Sequence, residues 1–280
     1  MILIAESGAT KCDWAILNVR DGSSRVFQTG GLNAAVSGEQ DIERVLSDVC
    51  SRLRDDDVEA IHFYGAGIVG SATADILETK FRELFSPGIE VELSSDLMAA
   101  ARALYADGAG LVGIMGTGSN CALYDGHTCS QKVYSGGFIL GDEGSGARLG
   151  KLFLADYLKN KVPETVAKLF RDSFPDLDYN TIVRRVYRDS APSRFLASLS
   201  AAIVPWSDSS DYLAAMVRRN TEDYFDAFLS HYDTASFPIG FVGTMAVMTE
   251  GIIRETAARR GVTVSRIIKS PITELIAYYV

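Results

Sequence analysis

The sequence Ile4-Ala5-Glu6-Ser7-Gly8-Ala9-Thr10 has a counterpart 110 residues later in Ile114-Met115-Gly116-Thr117-Gly118-Ser119-Asn120, and this repeat is the main indication of the fold. Each stretch reads as an apolar strand and a turn of glycine, hydroxyl-bearing and small residues, after which a second strand begins. The repeat predicts two related halves that each open with a hairpin. If the two halves face each other, both turns point into one cleft.

The composition is that of a globular protein, since 47% of the 280 residues are hydrophobic and 22% are charged. A net charge of −9 argues against nucleic acid as a partner, because phosphate neutralisation needs surplus lysine and arginine. No apolar run approaches the roughly 18 residues of a membrane-spanning helix, and residues 1–6 read as a strand, not as a signal peptide. We therefore expect a cytoplasmic protein with no membrane or nucleic-acid partner.

Strands and helices alternate along the chain, which predicts an α/β fold. In the first half we expect strands over 2–5, 13–19, 60–64 and 89–93, and helices over 42–53, 73–85 and 98–105. The second half continues with strands over 111–115 and 121–124, a helical stretch over about 147–232, a strand over 237–242, a helix over 245–259 and a strand over 264–268. We expect domains at 1–109 and 110–270, with the C-terminal helix 271–280 packing back on the first.

The two turns have the composition of phosphate-binding sites, because tight turns of glycine and hydroxyl residues expose backbone N–H groups. The alternative is an ordinary hairpin turn, in which glycine and serine are common. No Walker P-loop occurs in the sequence. The candidate phosphate-binding residues are Ser7, Gly8, Thr10 and Lys11 in the first turn and Gly116, Thr117, Gly118 and Ser119 in the second.

Asp96 follows a predicted strand in Ser94-Ser95-Asp96 and begins a predicted helix. It is either a helix N-cap or a general base at the carboxyl end of a strand, where ligands of α/β proteins bind. A helix N-terminus favours the ionised carboxylate, so we expect Asp96 to be deprotonated.

Three other segments have both a plain and a functional interpretation. The glycine-dense loop 136–146 carries Asp142 and Glu143, which are either solvated or acceptors for a hydroxyl-rich ligand. The segment 240–244 is either a strand–helix turn or a backbone ledge against a nucleotide. Gly65-Ala-Gly67-Ile-Val-Gly70 fits a dinucleotide-binding pattern but follows the opening hairpin instead of the first strand.

Histidine and cysteine do not suggest a metal site. Neither residue type occurs in pairs with metal-ligand spacing. We expect the four cysteines to be reduced thiols; they are Cys12, Cys50, Cys121 and Cys129.

Taken together, these motifs resemble the N-acetylglucosamine kinase group of the BadF/BadG/BcrA/BcrD ATPase family, in the actin–sugar kinase–Hsp70 superfamily. The resemblance spans nearly the whole chain. The matching segments are Glu6-Ser-Gly-Ala-Thr-Lys11 and Gly116-Thr-Gly-Ser-Asn-Cys121 for phosphate, Gly136-Gly-Phe-Ile-Leu-Gly-Asp-Glu-Gly-Ser-Gly146 for the sugar and Phe241-Val-Gly-Thr-Met-Ala246 for adenosine.

The resemblance implies two ribonuclease H-like, actin-like ATPase domains flanking a cleft, and ATP-dependent phosphorylation of an amino sugar, with N-acetylglucosamine at its 6-hydroxyl as the first choice. It implies ATP and Mg²⁺ as cofactors, and we expect a homodimer. The implied residues are Asp96 as catalytic base, Glu6 for the metal, Gly243 and Thr244 for adenosine, and Asn33, Gly65, Asn120, Gly137 and Asp142 for the sugar.

Two residues depart from the family pattern. Glu6 stands where the family usually has Asp, and Phe138 stands where relatives often have Trp. One extra methylene at Glu6 leaves a weakly active or non-catalytic sugar sensor as an alternative, since a shift of about 1 Å can cost on the order of 100-fold in rate. An ATPase activator of a radical enzyme is a further alternative, as is an NAD enzyme. The choice among amino sugars stays open.

Overall fold

The computed structural model describes residues 1–8, 10–32, 38–53, 57–68 and 72–280. Its internal contacts divide the chain into two compact units. The first unit comprises Met1–Gly110, Tyr124–Cys129 and Ser270–Val280, and the second comprises Leu111–Leu123 and Ser130–Lys269.

Both units are built from strands and helices that follow in chain order. The strands are β1 (Ile2–Ser7), β2 (Lys11–Leu17), β3 (Ser24–Gly30), β4 (Ala60–Gly65), β5 (Glu90–Ser95), β6 (Gly110–Met115), β7 (Ser119–Tyr124), β8 (Cys129–Ser130), β9 (Ile239–Val242) and β10 (Val264–Ile268). The helices are α1 (Glu39–Leu53), α2 (Ala72–Leu84), α3 (Asp96–Tyr105), α4 (Gly137–Leu140), α5 (Gly146–Tyr157), α6 (Glu164–Ser173), α7 (Tyr179–Tyr187), α8 (Pro192–Ser198), α9 (Ser200–Trp206), α10 (Asp211–Ala227), α11 (Thr244–Met248), α12 (Glu250–Arg259) and α13 (Ile272–Tyr278).

The two sheets have the same strand order. One sheet runs β3-β2-β1-β4-β5, and the other, read from its opposite edge, runs β8-β7-β6-β9-β10. In the first sheet β1 pairs antiparallel with β2 and parallel with β4, which pairs parallel with β5. In the second sheet β9 pairs parallel with both β6 and β10. The repeat predicted from the sequence is therefore a repeat of topology, and the α/β fold class is confirmed.

The first sheet is covered on both faces, because alternate side chains of a strand point to opposite sides. Leu3, Ala5 and Trp14 share a buried cluster with residues of α1 and α2. Ile4 and Ala15 share another with residues of α3 and α13. Coverage of both faces explains why β1 and β2 are almost continuously buried from end to end.

Polar contacts fix α3 and the chain terminus on the second of these faces. The hydroxyls of Tyr64 and Tyr279 lie 2.5 Å apart, and Arg102 of α3 donates to Glu92 at 2.8 Å. The hydrogen bond with His62 and the charge of Arg102 lower the pKa of Glu92 to about 2. The ionised carboxylate therefore holds Arg102 and, through it, the helix that begins at Asp96.

The second unit carries a block of helices, α5 to α10, between β8 and β9. Their apolar faces meet the sheet in a single buried cluster that includes Phe153, Phe170 and Phe241. Pro163 immediately precedes α6, and Pro192 is the first residue of α8, positions that suit proline because its fixed φ angle is compatible with the first turn of a helix. Within the described ranges, no helix combines the length and the apolar character needed to cross a membrane.

The structure departs from the sequence-based prediction in several elements. Strand β3 was not predicted, because its residues are mostly polar and four of the seven are exposed. The two-residue strand β8 was not predicted either. The predicted helix 245–259 is two helices, which meet at Thr249, whose hydroxyl donates to Met245 O at 2.7 Å. The glycine-dense loop contains the short helix α4.

Candidate active site

The first of the two turns predicted to bind phosphate, called the first phosphate turn (residues 7–11), joins β1 to β2. It is closed by a hydrogen bond from Gly8 N to Lys11 O at 3.0 Å. The Ser7 hydroxyl is fully buried; it donates to Leu32 O at 2.9 Å and accepts from Leu32 N at 2.8 Å. Ser7 thus fastens the backbone at Leu32 to the turn, and its hydroxyl is engaged in that contact. The predicted sugar residue Asn33, next along the chain, lies outside the described residues.

Lys11 gives the first turn its positive charge. Its Nζ atom lies 2.7 Å from Oδ2 of Asp13, and its side chain is 43% exposed while that of Asp13 is 3% exposed. Thr10 is exposed, and its carbonyl accepts from Gly31 N at 3.3 Å. Asp13, the first residue of the predicted strand 13–19, was not identified as a candidate from the sequence, although an aspartate between the apolar residues Cys12 and Trp14 is itself a signal of a partnered charge.

Glu6 lies directly opposite Asp13 in the β1–β2 register. Burial, followed by the charges of Asp13 and Asp96, raises the pKa of Glu6 to about 7, and Lys11 opposes this shift. Cross-strand partners project to the same face of the sheet, so the two carboxylates share one environment. The end of β1 is therefore an electronegative position that an added cation would stabilise.

Asp96 is the first residue of α3, beyond the carboxyl end of β5. The helix is capped by Ser95, whose Oγ accepts from Met98 N at 3.2 Å. Asp96 Oδ1 accepts from Leu97 N at 2.9 Å. Burial raises the pKa of Asp96 and outweighs the backbone hydrogen bonds that lower it, whereas the sequence predicted that the helix N-terminus would decide. A carboxylate with a raised pKa is a stronger base once ionised.

The second phosphate turn, residues 116–119, joins β6 to β7, and Gly116 N donates to Gly118 O at 2.9 Å. The turn is fastened to the start of α5, because Gly146 N donates to Gly116 O at 2.9 Å and Ala147 N to Thr117 O at 3.1 Å. The Ser119 hydroxyl is buried and has no hydrogen-bond partner in the part of the chain that the structure describes. A buried hydroxyl without a partner is unusual in a folded protein.

Asp142 lies against this second turn. Its Oδ1 accepts from Ser119 N at 3.2 Å, and a Cβ on Gly118 would lie 3.1 Å from its Oδ2. Asp142 is 6% exposed, and burial raises its pKa to about 6 despite the bond from Ser119. The residue predicted to contact sugar and the turn predicted to contact phosphate are therefore in direct contact.

The rest of the sugar-side loop, residues 136–146, is held by Lys151 of α5. Its Nζ donates to Phe138 O at 2.6 Å and to Ile139 O at 3.3 Å. The predicted sugar residue Gly137 begins α4 and is exposed. Lys151 could not be identified from the sequence, because no local pattern links it to carbonyls 12 and 13 residues earlier.

Asn120 follows Ser119 in β7 and lies near the turn. Its Oδ1 accepts from Cys121 N at 3.0 Å and from Gln131 Nε2 at 2.7 Å. Its own carbonyl accepts from the hydroxyl of Tyr224 at 2.8 Å. Backbone and side chain of Asn120 are thus fixed from three directions.

Gly243, predicted to contact adenosine, packs on the strand that leads into the second turn. Its φ is +130°, and a Cβ there would lie 2.3 Å from Met115 O. Only glycine satisfies both the backbone conformation and the close approach. Thr244 follows as the first residue of α11. The predicted adenosine segment therefore lies next to the predicted phosphate segment.

Gly65 ends β4, and its small size has a packing reason. A Cβ on Gly65 would lie 2.9 Å from the ring of Phe63 and 3.0 Å from the side chain of Ile68. The remainder of the dinucleotide-like pattern, Val69 and Gly70, lies outside the described residues.

Metal-ligating side chains do not form a cluster within the described ranges. Among residues 1–8, 10–32, 38–53, 57–68 and 72–280, no three His, Cys, Asp or Glu side chains are grouped to hold an ion. All four cysteines are free thiols, and Cys12 and Cys121 are buried in strands.

Solved structures show what this chain is similar to. A Porphyromonas gingivalis protein provisionally designated an N-acetylglucosamine kinase is 34% identical, with 100% of this chain and 98% of that one covered and a TM-score of 0.92. A Chromobacterium violaceum protein of the same provisional designation is 14% identical, with 100% and 99% covered and a TM-score of 0.74.

A Streptomyces griseus ROK family glucokinase, solved with glucose and AMPPNP, is 13% identical, with 99% and 97% covered and a TM-score of 0.57. No model of a protein family matches the chain, and a search of curated proteins finds no match. The two more distant structures show the fold alone. The similarity to the Porphyromonas protein extends over both chains, and the chain therefore belongs to the N-acetylglucosamine kinase-like proteins of the BadF/BadG/BcrA/BcrD ATPase family, in the actin–sugar kinase–Hsp70 superfamily.

Proposed function

We propose that this chain is an ATP-dependent kinase that phosphorylates an amino sugar, with N-acetylglucosamine at its 6-hydroxyl as the preferred acceptor. The observation that carries the proposal is the position of Asp96, a carboxylate at the carboxyl end of a parallel strand and at the start of a capped helix. Ligands of open α/β sheets bind at this end of the strands.

Asp96 acts as the general base. Its ionised carboxylate accepts the proton of the sugar hydroxyl while the hydroxyl oxygen bonds to the γ-phosphorus of ATP and the bond from that phosphorus to the ADP oxygen breaks. Its raised pKa suits this task, because a stronger base draws the proton further in the transition state. Arg102 and Glu92 support the helix that carries it.

The two phosphate turns bind the triphosphate. The first contributes the backbone at Gly8, the hydroxyl of Thr10 and the ammonium of Lys11. The second contributes the residues 116–119, including a Ser119 hydroxyl that has no partner among the described residues. Backbone donors and a cation are the groups that stabilise charge on a transferring phosphoryl group.

Mg²⁺ fits the residues present at the first turn. Glu6 is a carboxylate whose ionisation is opposed by burial and by Asp13 and Asp96, so a divalent cation would favour its charged form. Mg²⁺ usually takes one or two protein carboxylates and completes its shell with water and phosphate oxygens, so a larger protein cluster is not required. When bound, the ion neutralises charge on the phosphates. Glu6 would hold it, directly or through water.

The residues proposed to bind the sugar are Asp142, Asn120, Gly65 and Asn33, together with the backbone at Gly137. Adenosine would lie on the segment of Gly243 and Thr244, which is contiguous with the second turn. A homodimer and a cytoplasmic location stay predictions from the sequence.

A sugar sensor without catalysis is the second candidate, and Glu6 favours it. The extra methylene places the carboxylate differently from the aspartate that the family usually has. An activator of a radical enzyme is less well supported, since Cys12 and Cys121 are buried in strands and burial raises the pKa of Cys121 to about 12. A thiol of this kind does not readily form the thiolate that an iron–sulfur cluster requires.

The test is ADP release with Mg·ATP across N-acetylglucosamine, N-acetylmuramic acid, N-acetylmannosamine and glucosamine, with the product mass determined. We expect ADP release that depends on the sugar, together with a phosphosugar. Binding of a sugar by calorimetry with no turnover on any acceptor would favour the sensor. ADP release at the same rate with and without sugar would contradict both the amino-sugar kinase and the sugar sensor.

A further inference from the structure

Asp13 is a charged residue in the interior of the first unit that has no role in the reaction proposed above. It lies in β2, is 2% exposed and is flanked by the fully buried Cys12 and Trp14. A carboxylate in such a position loses its hydration and is unfavourable unless donors replace the lost water. Its partners therefore indicate why it is there.

Three donors meet the Asp13 carboxylate. Lys11 Nζ lies 2.7 Å and Ser270 Oγ 3.0 Å from Oδ2, and Gln28 Nε2 lies 2.6 Å from Oδ1. Only one of the three, the ammonium of Lys11, is charged. The ion pair is half-shielded from water, because the Asp13 side chain is buried and the Lys11 side chain is only partly exposed. Such charge-assisted bonds are shorter and stronger than neutral ones.

Lys11 has other carboxylates within electrostatic reach. Its charge acts on Glu6, which also feels Asp13 and Asp96. Within the described residues, however, the hydrogen bond of Lys11 is to Asp13, and none joins it to Glu6. The buried Asp13 thus fixes which carboxylate the single ammonium of the turn contacts.

We propose that Asp13 is a positioning residue that holds the Lys11 ammonium at the first phosphate turn, so that this cation meets the phosphates of the nucleotide instead of pairing with Glu6. The inference rests on the proposed function for the identity of the ligand. A purely structural role is the alternative, in which Asp13 only joins β2 to β3 and to the segment before α13 through Gln28 and Ser270.

A double-mutant cycle separates the two roles. Binding of Mg·AMPPNP is measured by calorimetry for the full-length wild type, Asp13→Asn, Lys11→Met and the double variant. We expect each single change to lower the affinity about tenfold, and the double change to lower it no more than Lys11→Met alone, because residues that act through one interaction are not additive. Additive losses would overturn the proposal.

Ser270→Ala and Gln28→Ala are the matched controls, since both remove a donor to the same carboxylate and leave Lys11 in place. We expect nucleotide affinity within about twofold of wild type for both, even if their melting temperatures fall with that of Asp13→Asn. If either control weakens nucleotide binding as much as Asp13→Asn does, the role is structural.

A measurement on the wild type covers the case in which Asp13→Asn does not fold. In protein labelled with ¹⁵N-lysine, an ammonium held by a shielded carboxylate exchanges slowly with water. We expect one slowly exchanging ammonium resonance that disappears in Lys11→Met and shifts on addition of Mg·AMPPNP. If Lys11→Met removes no such resonance, the proposal is overturned.

The outcomes distinguish this inference from the proposed function. If the losses of nucleotide affinity were non-additive but no phosphosugar formed, the kinase function would be contradicted. The proposed positioning role of Asp13 would still hold. Phosphosugar formation with additive binding losses would contradict the role of Asp13 alone. A wild type that does not bind Mg·AMPPNP would contradict both.

Discussion

The two turns proposed to bind phosphate have the same position in two sheets of the same strand order, and yet they obtain their charges in different ways. At the first turn, Glu6, Lys11 and Asp13 all lie on the hairpin itself. At an offset of 110 residues, the corresponding positions of the second turn are Gly116, Cys121 and Leu123, which are neutral. There the carboxylate is supplied by Asp142, 23 residues from its partner Ser119.

This difference suggests that the two turns have different functions. The shared hairpin supplies backbone geometry suited to phosphate oxygens in both. The first hairpin adds ionisable groups close to Asp96, which suits metal and proton chemistry. The second adds a carboxylate from the sugar-side loop, which suits recognition of hydroxyl groups. Variants of both turns, and of the carboxylates next to them, test this difference.

Asp96→Asn is expected to have the largest effect, because it removes the base and keeps the shape. We expect kcat to fall by about 10³-fold, within the range for loss of a general base, with sugar affinity changed only a few-fold. ADP release and calorimetry measure the two quantities. For comparison, Asp142→Asn should act mainly on the KM for sugar. If Asp96→Asn kept a tenth of the wild-type kcat, the base would have to lie elsewhere.

Glu6→Gln tests whether the charge of the first turn serves the metal. We expect the apparent affinity for Mg²⁺ and the value of kcat/KM to fall by roughly 100-fold in Glu6→Gln. Glu6→Asp keeps the charge but shortens the side chain, and we expect both quantities to fall by less than about tenfold in that variant. Mg²⁺ titrations at saturating ATP measure this. If Glu6→Gln and the wild type required the same Mg²⁺ concentration, the charge of Glu6 would not serve the metal. The proposed functional difference between the two turns would then be contradicted.

Gly118→Ala and Gly8→Ala are equivalent changes in the two turns. A Cβ on Gly118 would meet the Asp142 carboxylate at 3.1 Å, whereas a Cβ on Gly8 would have ordinary contact with Lys11 O at 3.8 Å. We expect Gly118→Ala to displace Asp142 and lower sugar affinity about tenfold, and Gly8→Ala to change it less than about twofold. Calorimetry with N-acetylglucosamine measures the sugar affinity of both variants. If both changes lowered the affinity equally, the position of Asp142 would not depend on the absence of a side chain at Gly118.

Asp142→Asn should have a small effect on stability that depends on pH. The folded-state pKa of about 6 is above the ordinary 3.8, so the contribution of Asp142 to stability is most favourable below the ordinary value and is lost as pH rises through 6. Asn keeps the acceptor for Ser119 and does not ionise. We therefore expect the variant to be more stable than wild type by about 1 kcal/mol near pH 8, with a smaller difference near pH 5.

Denaturant unfolding at both pH values measures this effect, and Asp125→Asn is the control. Hydrogen bonds from Thr128 lower the pKa of Asp125, so its contribution to stability is present in full above the ordinary value of 3.8 and is lost only as pH falls below that value. Its replacement should therefore cost the same stability near pH 8 as near pH 5. A stability gain for Asp142→Asn that does not vary with pH would contradict the ionisation argument.

Much of the fold could be predicted from the sequence. The strand positions, the helix starts at Pro163 and Pro192 and the repeat of the hairpin depend on residues within a few positions of each other, and the structure has them. Strand β3 could not be predicted in this way, because its pattern is that of a partly exposed edge strand with polar residues. The position of Asp96 at a helix start was likewise a local property.

The contacts of the site were decided by tertiary structure. Ser7 was predicted to offer its hydroxyl to phosphate, but in the structure that hydroxyl binds Leu32, 25 residues away. The carboxylate of Asp13 accepts a hydrogen bond from Ser270, which is 257 residues away in the sequence. The carboxylate of Asp142 accepts one from Ser119 because its loop packs on the second turn. The sequence alone determined the two hairpins, because backbone preference and apolar alternation act locally. Which side chains face each of them depends on how sheet, loop and chain terminus pack together, and no local pattern contains that information.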